Sequence, residues 1–418
     1  MRPYDDIMDQ EPRLKRALSL PTLTLYGLGT MVGGGFYALI GKVAGEAGML
    51  APLAFMVSAL VALVSALSYA EMSSRFPVSA GEARYVREGL RRVWLARVVG
   101  WGVVLTGVVS AATLSVAFSG FLHDLAGVPT WVSRLSVILL LVAIASWGIA
   151  QSVALTIVIT VIEVGTLLVL VGASGGAIAD LPSRAGDIFI PGSVAATLGI
   201  GSGAFLAFYS FIGFEDMVNE AEEVRNPRRT LPIAMILALS ITTLLYMLVS
   251  VVSVLAVGPE QLAASATPLA TLATTVGLGG AGAVTIVSML AGVNGALVQI
   301  VMASRVIYGM ARQGDAPKKL SSVHPRTQTP LLATLIVGCV VLVLSLVLEL
   351  VALAKLTSAI ILLVFMLVNV SLLMLKSREK RSGADPHRGW IRVPAFVPAL
   401  GAIVCLAMVG MELWRQIA

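Results

Sequence analysis

Long apolar runs separated by short charged segments set the pattern of this chain. One helix needs about 20 mostly apolar residues to cross a bilayer core. About eleven such runs occur, at roughly 21–45, 51–74, 97–121, 133–149, 152–172, 194–217, 231–257, 282–308, 330–349, 353–375 and 393–413. The pattern therefore predicts an all-α polytopic membrane protein. The stretch 132–172 is too long for one span and is interrupted by SWGIAQS, which divides it into two helices joined by a tight turn.

Composition agrees: 57% of the 418 residues are hydrophobic and 12% charged, and the mean hydropathy is +0.92, outside the range of soluble folds of this size. The net charge of +6 takes its meaning from placement. Sorted by alternate loops, 24 of the 29 Lys and Arg residues fall on one side of the membrane. The positive-inside rule makes that side, and the N-terminus, cytoplasmic, and an odd number of spans puts the C-terminus outside. These basic residues lie beside lipid headgroups, which removes the nucleic-acid reading. Segment 1–20 carries charges of both signs and no small-residue cleavage site, unlike a signal peptide.

Other chemistry is sparse. Cys339 and Cys405 lie in separate apolar runs, with neither disulfide nor metal spacing. His123, His324 and His387 fall at loops or helix ends without ligand spacing. No Gly-rich Lys-Ser/Thr phosphate loop is present, so ATP is not expected to drive the protein. No nucleophile–base or metal constellation supports an enzyme, and no cofactor is expected.

Two apolar runs are interrupted. In GLGTMVGGGFYALIG, residues 27–41, Gly33, Gly34 and Gly35 stand where a helix should be strongest, each costing about 1 kcal/mol relative to Ala. Five helices later, GIGSGAFLAFYSFIGFED, residues 199–216, places glycines around an aromatic cluster. Unwound backbone at membrane depth is tolerated only where protein buries it or it lines a cavity. Breaks at corresponding positions, in helices one and six, point to an inverted repeat of five helices plus five. A half-helix N-terminus suits a carboxylate and freed carbonyls suit an ammonium, so an amino acid matches both. Close helix packing is the plainer reading of the glycines.

Four segments carry a family resemblance: GTMVGGGFYALIG; YAEMSSRFPVSAGEARYVRE after helix two; FYSFIGFEDMVNEAEEVRNPRRTLP at helix six; and ASRVIYGMARQGDAPKKLSSVHPRTQTP after helix eight. Together they resemble the amino acid-polyamine-organocation superfamily, close to its bacterial amino acid permeases and cationic amino acid transporters. The resemblance implies a leucine-transporter-type fold with ten core helices, substrate at the breaks of helices one and six, and alternating access. By motif position, Gly33, Gly34 and Gly35 would offer backbone N–H groups to a carboxylate, with Met31 and Val32 lining the break. Tyr209, Ser210, Phe211, Ile212 and Gly213 would surround the ammonium and side chain. Most relatives have twelve helices or more; this chain ends just after its eleventh, which touches oligomer contacts rather than the core.

The domain reading follows: a cytoplasmic segment 1–20, a transporter core 21–376 with repeats at about 21–172 and 194–376, a cytoplasmic loop 377–392, and an eleventh helix with a short C-terminus at 393–418. Glu163 is the ionisable residue nearest the middle of a span, and it shares a helix face with Thr156 and Thr160. It reads either as a proton carrier or as a structural carboxylic acid. Helix eight lacks the hydroxyl pair of sodium-coupled members of the wider fold near Asn294 and Gly295, which favours protons or exchange over sodium; Asn294 stays a candidate for a cation or for an interhelical bond. Glu222 and Glu223 read as a solvated turn or as a latch to Arg84, Arg87 or Arg91. The expected function is secondary active transport of an amino acid across the plasma membrane, with proton symport first. Amino acid or amine exchange, and a substrate-sensing receptor or channel on the same scaffold, are the alternatives. The apolar break in helix six favours a neutral substrate, with Glu163 as the alternative partner for a cationic one.

Overall fold

The computed structural model describes residues 18–417 apart from 79–80, 148–151, 313, 325–326, 328 and 383–390. Residues 1–17 of the predicted segment 1–20, the helix four–five junction at 148–151 and residues 383–390 of the loop 377–392 thus lie outside the described residues, as do the side chains of Glu222 and Glu223. Every regular element among the described residues is helical.

The first predicted run is two helices, α1 (Leu20–Val32) and α2 (Gly34–Ala47). Then come α3 (Ala51–Arg75), a short α4 (Gly81–Leu90) and α5 (Val93–Ala126). Next are α6 (Thr130–Trp147), α7 (Ser152–Ala173), α8 (Gly175–Phe189) and α9 (Val194–Ala207). After two 3-10 turns, Phe208–Phe211 and Glu215–Glu223, follow α10 (Pro227–Ala256), α11 (Pro259–Ala264), α12 (Pro268–Thr275) and α13 (Ala281–Arg312). The chain finishes with α14 (Leu331–Val347), α15 (Leu350–Ser382) and α16 (Phe396–Ile417). Pro21 and Pro227 sit in the first turns of α1 and α10, where a missing N–H costs nothing.

Eight helical stretches among the described residues are long and apolar enough to cross a membrane; Thr130–Ser146 and Leu331–Val347 are shorter apolar helices. The outer surface is itself apolar, with Leu139, Val343 and Ile403 all more than half exposed. Trp94, Trp131 and Trp414 stand exposed near helix ends, where indole rings sit at the headgroup level of a bilayer. Inside, α5 runs against α13 and α3 against α10. The α5–α13 approach is close because small residues meet: a Cβ on Gly107 would lie 3.1 Å from the Gln299 carbonyl oxygen.

Two expectations change. The second apolar run ends as expected with α3 at Arg75, but the loop read after it holds α4, whose Glu82, Tyr85 and Val86 are buried. Their spacing of three and four puts all three on one helical face, which packs inward. In addition, only Gly33 of the glycine triplet leaves the helix; Gly34 and Gly35 open α2.

Candidate functional site

At Gly33 the backbone turns to φ −50°, ψ −172°, ending α1 and letting α2 start afresh. Gly34 and Gly35 therefore occupy a first helical turn, whose N–H groups have no partner within the helix and carry the positive end of its dipole. Gly34 is forced by neighbouring backbone, and Gly35 is crowded by a side chain. A Cβ on Gly34 would lie 2.6 Å from Gly292 Cα in α13, and one on Gly35 2.9 Å from Tyr209 Cε1.

The second break begins where α9 tightens into the turn Phe208–Phe211. Ile212 is extended and Gly213 has φ +128°, a conformation L side chains rarely adopt. The two breaks touch, since Thr30 Oγ1 donates to the Gly213 carbonyl at 3.0 Å. Tyr246 of α10 ties them from a third side. Its hydroxyl is 2.7 Å from the Met31 carbonyl and 3.0 Å from that of Ser210, so one proton serves a carbonyl from each broken helix. The Tyr246 ring stacks on Phe36 at 3.9 Å and meets Phe211 edge-on at 5.2 Å.

A small cavity lies at this junction. Met31, Gly33, Gly34, Gly35, Tyr209 and Ile212 form part of its wall, while Thr30, Ser110, Leu114 and, from α13, Gly295, Val298 and Gln299 form the rest. Val32, Ser210, Phe211 and Gly213 are buried beside it, outside its wall. The space is about 20 Å³, room for about one water and too small for an amino acid. Tyr209 spans the cavity from helix six to α5: its hydroxyl lies 3.0 Å from Ser110 Oγ and donates to the Ser110 carbonyl at 3.2 Å.

The coupling candidates lie behind this wall. Thr156, Thr160 and Glu163 are all buried, and α7 packs on α1 so tightly that a Cβ on Gly29 would run into the Thr160 hydroxyl. Thr160 donates back to the Thr156 carbonyl at 2.7 Å, and Thr156 Oγ1 donates to Asn294 Oδ1 at 3.3 Å. Among the described residues, neither carboxyl oxygen of Glu163 nor the Asn294 amide nitrogen has a hydrogen-bond partner. The Glu163 backbone carbonyl accepts from Tyr37 at 2.9 Å.

Sequence reasoning missed Thr30, Ser110, Gln299 and Tyr246. Gln299 and Tyr246 carried a usable signal, a polar atom deep in an apolar run; Thr30 and Ser110 carried none, because hydroxyls are common in membrane helices. It also passed over the buried carboxyls Glu71, Glu82, Glu215 and Asp216. Cys405 is buried against Ser65, as a packing role predicts, while Cys339 is exposed. Among the described residues, no group of three or more His, Cys, Asp or Glu is arranged to hold a metal ion.

An apolar-surfaced helical bundle whose two broken helices meet at an internal cavity defines a multi-pass membrane transporter. The chain belongs to the amino acid permease family within the amino acid-polyamine-organocation superfamily: the family model described as Amino acid permease matches residues 18–415. An uncharacterized transporter of Mycobacterium tuberculosis is 32% identical over 411 residues, covering 97% of this chain and 88% of the relative. The branched-chain amino acid permease of Bacillus subtilis is 29% identical over 96% of this chain and 88% of its own length. Human cationic amino acid transporter 4 is 30% identical over 92% of this chain and 64% of its own. The family is one of transporters, not enzymes, and its substrates are amino acids.

Proposed function

We propose that this protein imports a neutral amino acid across the plasma membrane by alternating access coupled to protons. One observation carries the reading. The first turn of α2 opens onto a cavity whose side-chain wall is otherwise Met31, Leu114, Ile212, Val298 and the neutral polar groups of Thr30, Ser110, Tyr209 and Gln299, with no carboxylate among them. The N–H groups of Gly34 and Gly35 would hold the substrate carboxylate, and carbonyls freed by the helix-six break its ammonium. The apolar wall would take an aliphatic side chain; a cationic one would be buried without a counter-charge. The relatives include both a branched-chain permease and cationic transporters, and the uncharged wall favours the first.

The helices support a span count of eleven, with α1 and α2 together as the first and α9 with its two turns as the sixth. Repeats at about 21–172 and 194–376 would form the core, followed by the loop 377–392 and the eleventh helix. The N-terminus would be cytoplasmic and the C-terminus outside. Opening would rock helices one, two, six and seven against the rest, with Tyr209 swinging off Ser110. Glu163 is the proposed proton carrier for coupling, with Thr160 and Asn294 beside its path.

Uptake of a labelled amino acid panel into proteoliposomes, with and without proton and sodium gradients, tests this. Accumulation of a branched-chain or small neutral amino acid under an inward proton gradient is the expected result. No accumulation under any gradient or counter-substrate would sink it.

A further inference from the structure

Away from Glu163, three more carboxyls are buried on two segments that meet where Gly81 of α4 faces Val218 in the second half of helix six: a Cβ on Gly81 would lie 3.0 Å from Val218 Cγ2. Glu82, Glu215 and Asp216 are each less than 5% exposed. Among the described residues no Lys or Arg pairs with any of them: Arg84 and Arg87 of α4 are engaged by Glu88 and Asp315. Hydrogen bonding is also thin. Glu215 Oε2 accepts from the Gly213 N–H at 2.9 Å, Asp216 Oδ2 accepts from Gln299 Nε2 at 2.9 Å, and Glu82 Oε1 has no partner. A carboxylate offers about four lone-pair sites, so the one or two donors each acid has, the backbone N–H groups of Glu82 and Glu215 included, leave three buried negative charges badly served.

The charged and titratable groups facing the trio worsen the balance. Glu82 feels Asp216, and Glu215 feels both Asp216 and Glu82. Glu220 faces Asp216. Tyr69 of α3 faces Glu82 and Glu215, and Tyr85 of α4 faces Glu82. Among the described residues, the hydroxyls of Tyr69 and Tyr85, both fully buried, and the Gln299 side-chain oxygen have no hydrogen-bond partner. These are neutral groups waiting for a proton or a donor rather than counter-ions.

We propose that Glu82, Glu215 and Asp216 form a proton-binding latch that holds α4 against the second half of helix six and closes the cytoplasmic side of the transport path. Loaded with protons, the trio packs as neutral acids. When these carboxyls release their protons to cytoplasmic water, the carboxylates of Glu82 and Asp216 repel each other across the α4 contact and the two segments part. The latch is wired to the substrate cavity by two bonds. Gly213 belongs to the helix-six break, and Gln299 both lines the cavity and holds Asp216. The chemistry selects a proton over a metal ion, since no metal-holding group of side chains exists among the described residues.

Burial, first, and then the charge of Asp216 push the Glu82 carboxyl from its ordinary value of 4.5 up to about 8, against the pull of its own backbone N–H. The sign follows. Between those values the closed latch binds a proton that the open one does not, so the closed state is lost as pH rises from about 4.5 to about 8 and the change then levels off. One released proton shifts the opening equilibrium about tenfold per pH unit in that window.

This inference rests on the transport reading for its biological meaning, but its test does not need transport. Hydrogen–deuterium exchange of the full chain in lipid nanodiscs is followed from pH 5 to pH 9 without substrate or gradient, corrected for the intrinsic pH dependence of exchange. Amides of 81–90 and 215–221 are expected to lose protection by up to about tenfold per pH unit to about pH 8, while α5 stays flat. Glu82→Gln should flatten the profile, and Asp216→Asn serves if that variant does not fold. A flat wild-type profile, or a neutral variant that titrates like wild type, overturns the latch. Protection restored at pH 8 by sodium chloride but not by choline chloride overturns the proton assignment in favour of a sodium site. A flat profile beside proton-driven uptake removes the latch alone; a pH-dependent profile without uptake removes the transport reading alone.

Discussion

Three consecutive glycines allow one substitution to be made three times with different expected results. Alanine at Gly33 meets nothing nearer than the Gly29 carbonyl at 3.4 Å, and its backbone is open to any residue. The loss there should stay near 1 kcal/mol, that of a poorer helix cap. Alanine at Gly34 puts its methyl 2.6 Å from Gly292 Cα and 2.9 Å from Gly292 N. Carbon atoms sit best at about 3.5–4.0 Å, and no rotamer relieves a backbone clash, so α2 and α13 must part by about 1 Å. Overpacking of that kind costs about 1–3 kcal/mol, and it moves the amides proposed to hold the carboxylate. Substrate affinity should fall about 10- to 100-fold, taking 1.4 kcal/mol per factor of ten. Alanine at Gly35 presses on the Tyr209 ring at 2.9 Å, which can swing, so an intermediate loss is expected. Purified variants in detergent, assayed by substrate-induced rise in melting temperature and by proteoliposome uptake, give the ranking. Equal effects at all three positions, or Gly33→Ala as the worst, would refute the packing argument.

Three further outcomes are expected. Tyr246→Phe keeps the ring on Phe36 but leaves the Met31 and Ser210 carbonyls without their shared donor; thermal stability should drop by about 1–3 kcal/mol with substrate affinity falling alongside, and unchanged melting and uptake would show that the hydroxyl is dispensable. Glu163→Gln should cut proton-driven uptake at least about tenfold while substrate counterflow persists, since a neutral amide carries no proton; gradient-driven uptake equal to wild type would remove Glu163 as the carrier. Glu71→Gln breaks a buried network in which Glu71 accepts from Arg75, from Lys376 at 2.7 Å and from the Val393 N–H at 2.7 Å. Losing one partner of a buried pair costs about 3–5 kcal/mol, so the variant should melt lower or fail to express, and wild-type melting would contradict it.

The apolar runs, the side of the membrane on which basic residues gather, and the helix breaks are visible in the chain because each follows from composition over a window of about twenty residues. Bilayer thickness sets the run length, and Gly33 and Gly213 interrupt runs that nothing else would interrupt. Long-range partners leave no such trace. Glu82 reads as one more charge in a charged loop, and only the packing of α4 buries it. Tyr246 reads as an aromatic in an apolar span, and only the approach of α10 to both breaks makes its hydroxyl the tie between them.

By itself, then, the sequence determined a polytopic helical protein with two broken helices, because solvent transfer and backbone propensity act locally and sum along the chain. The tertiary structure decided which glycines are forced, which carboxyls lose water together and which residues wall the cavity. Those are distances between segments far apart in sequence: 183 residues separate Thr30 from Gly213, and 83 separate Asp216 from Gln299. No periodicity within either segment encodes them.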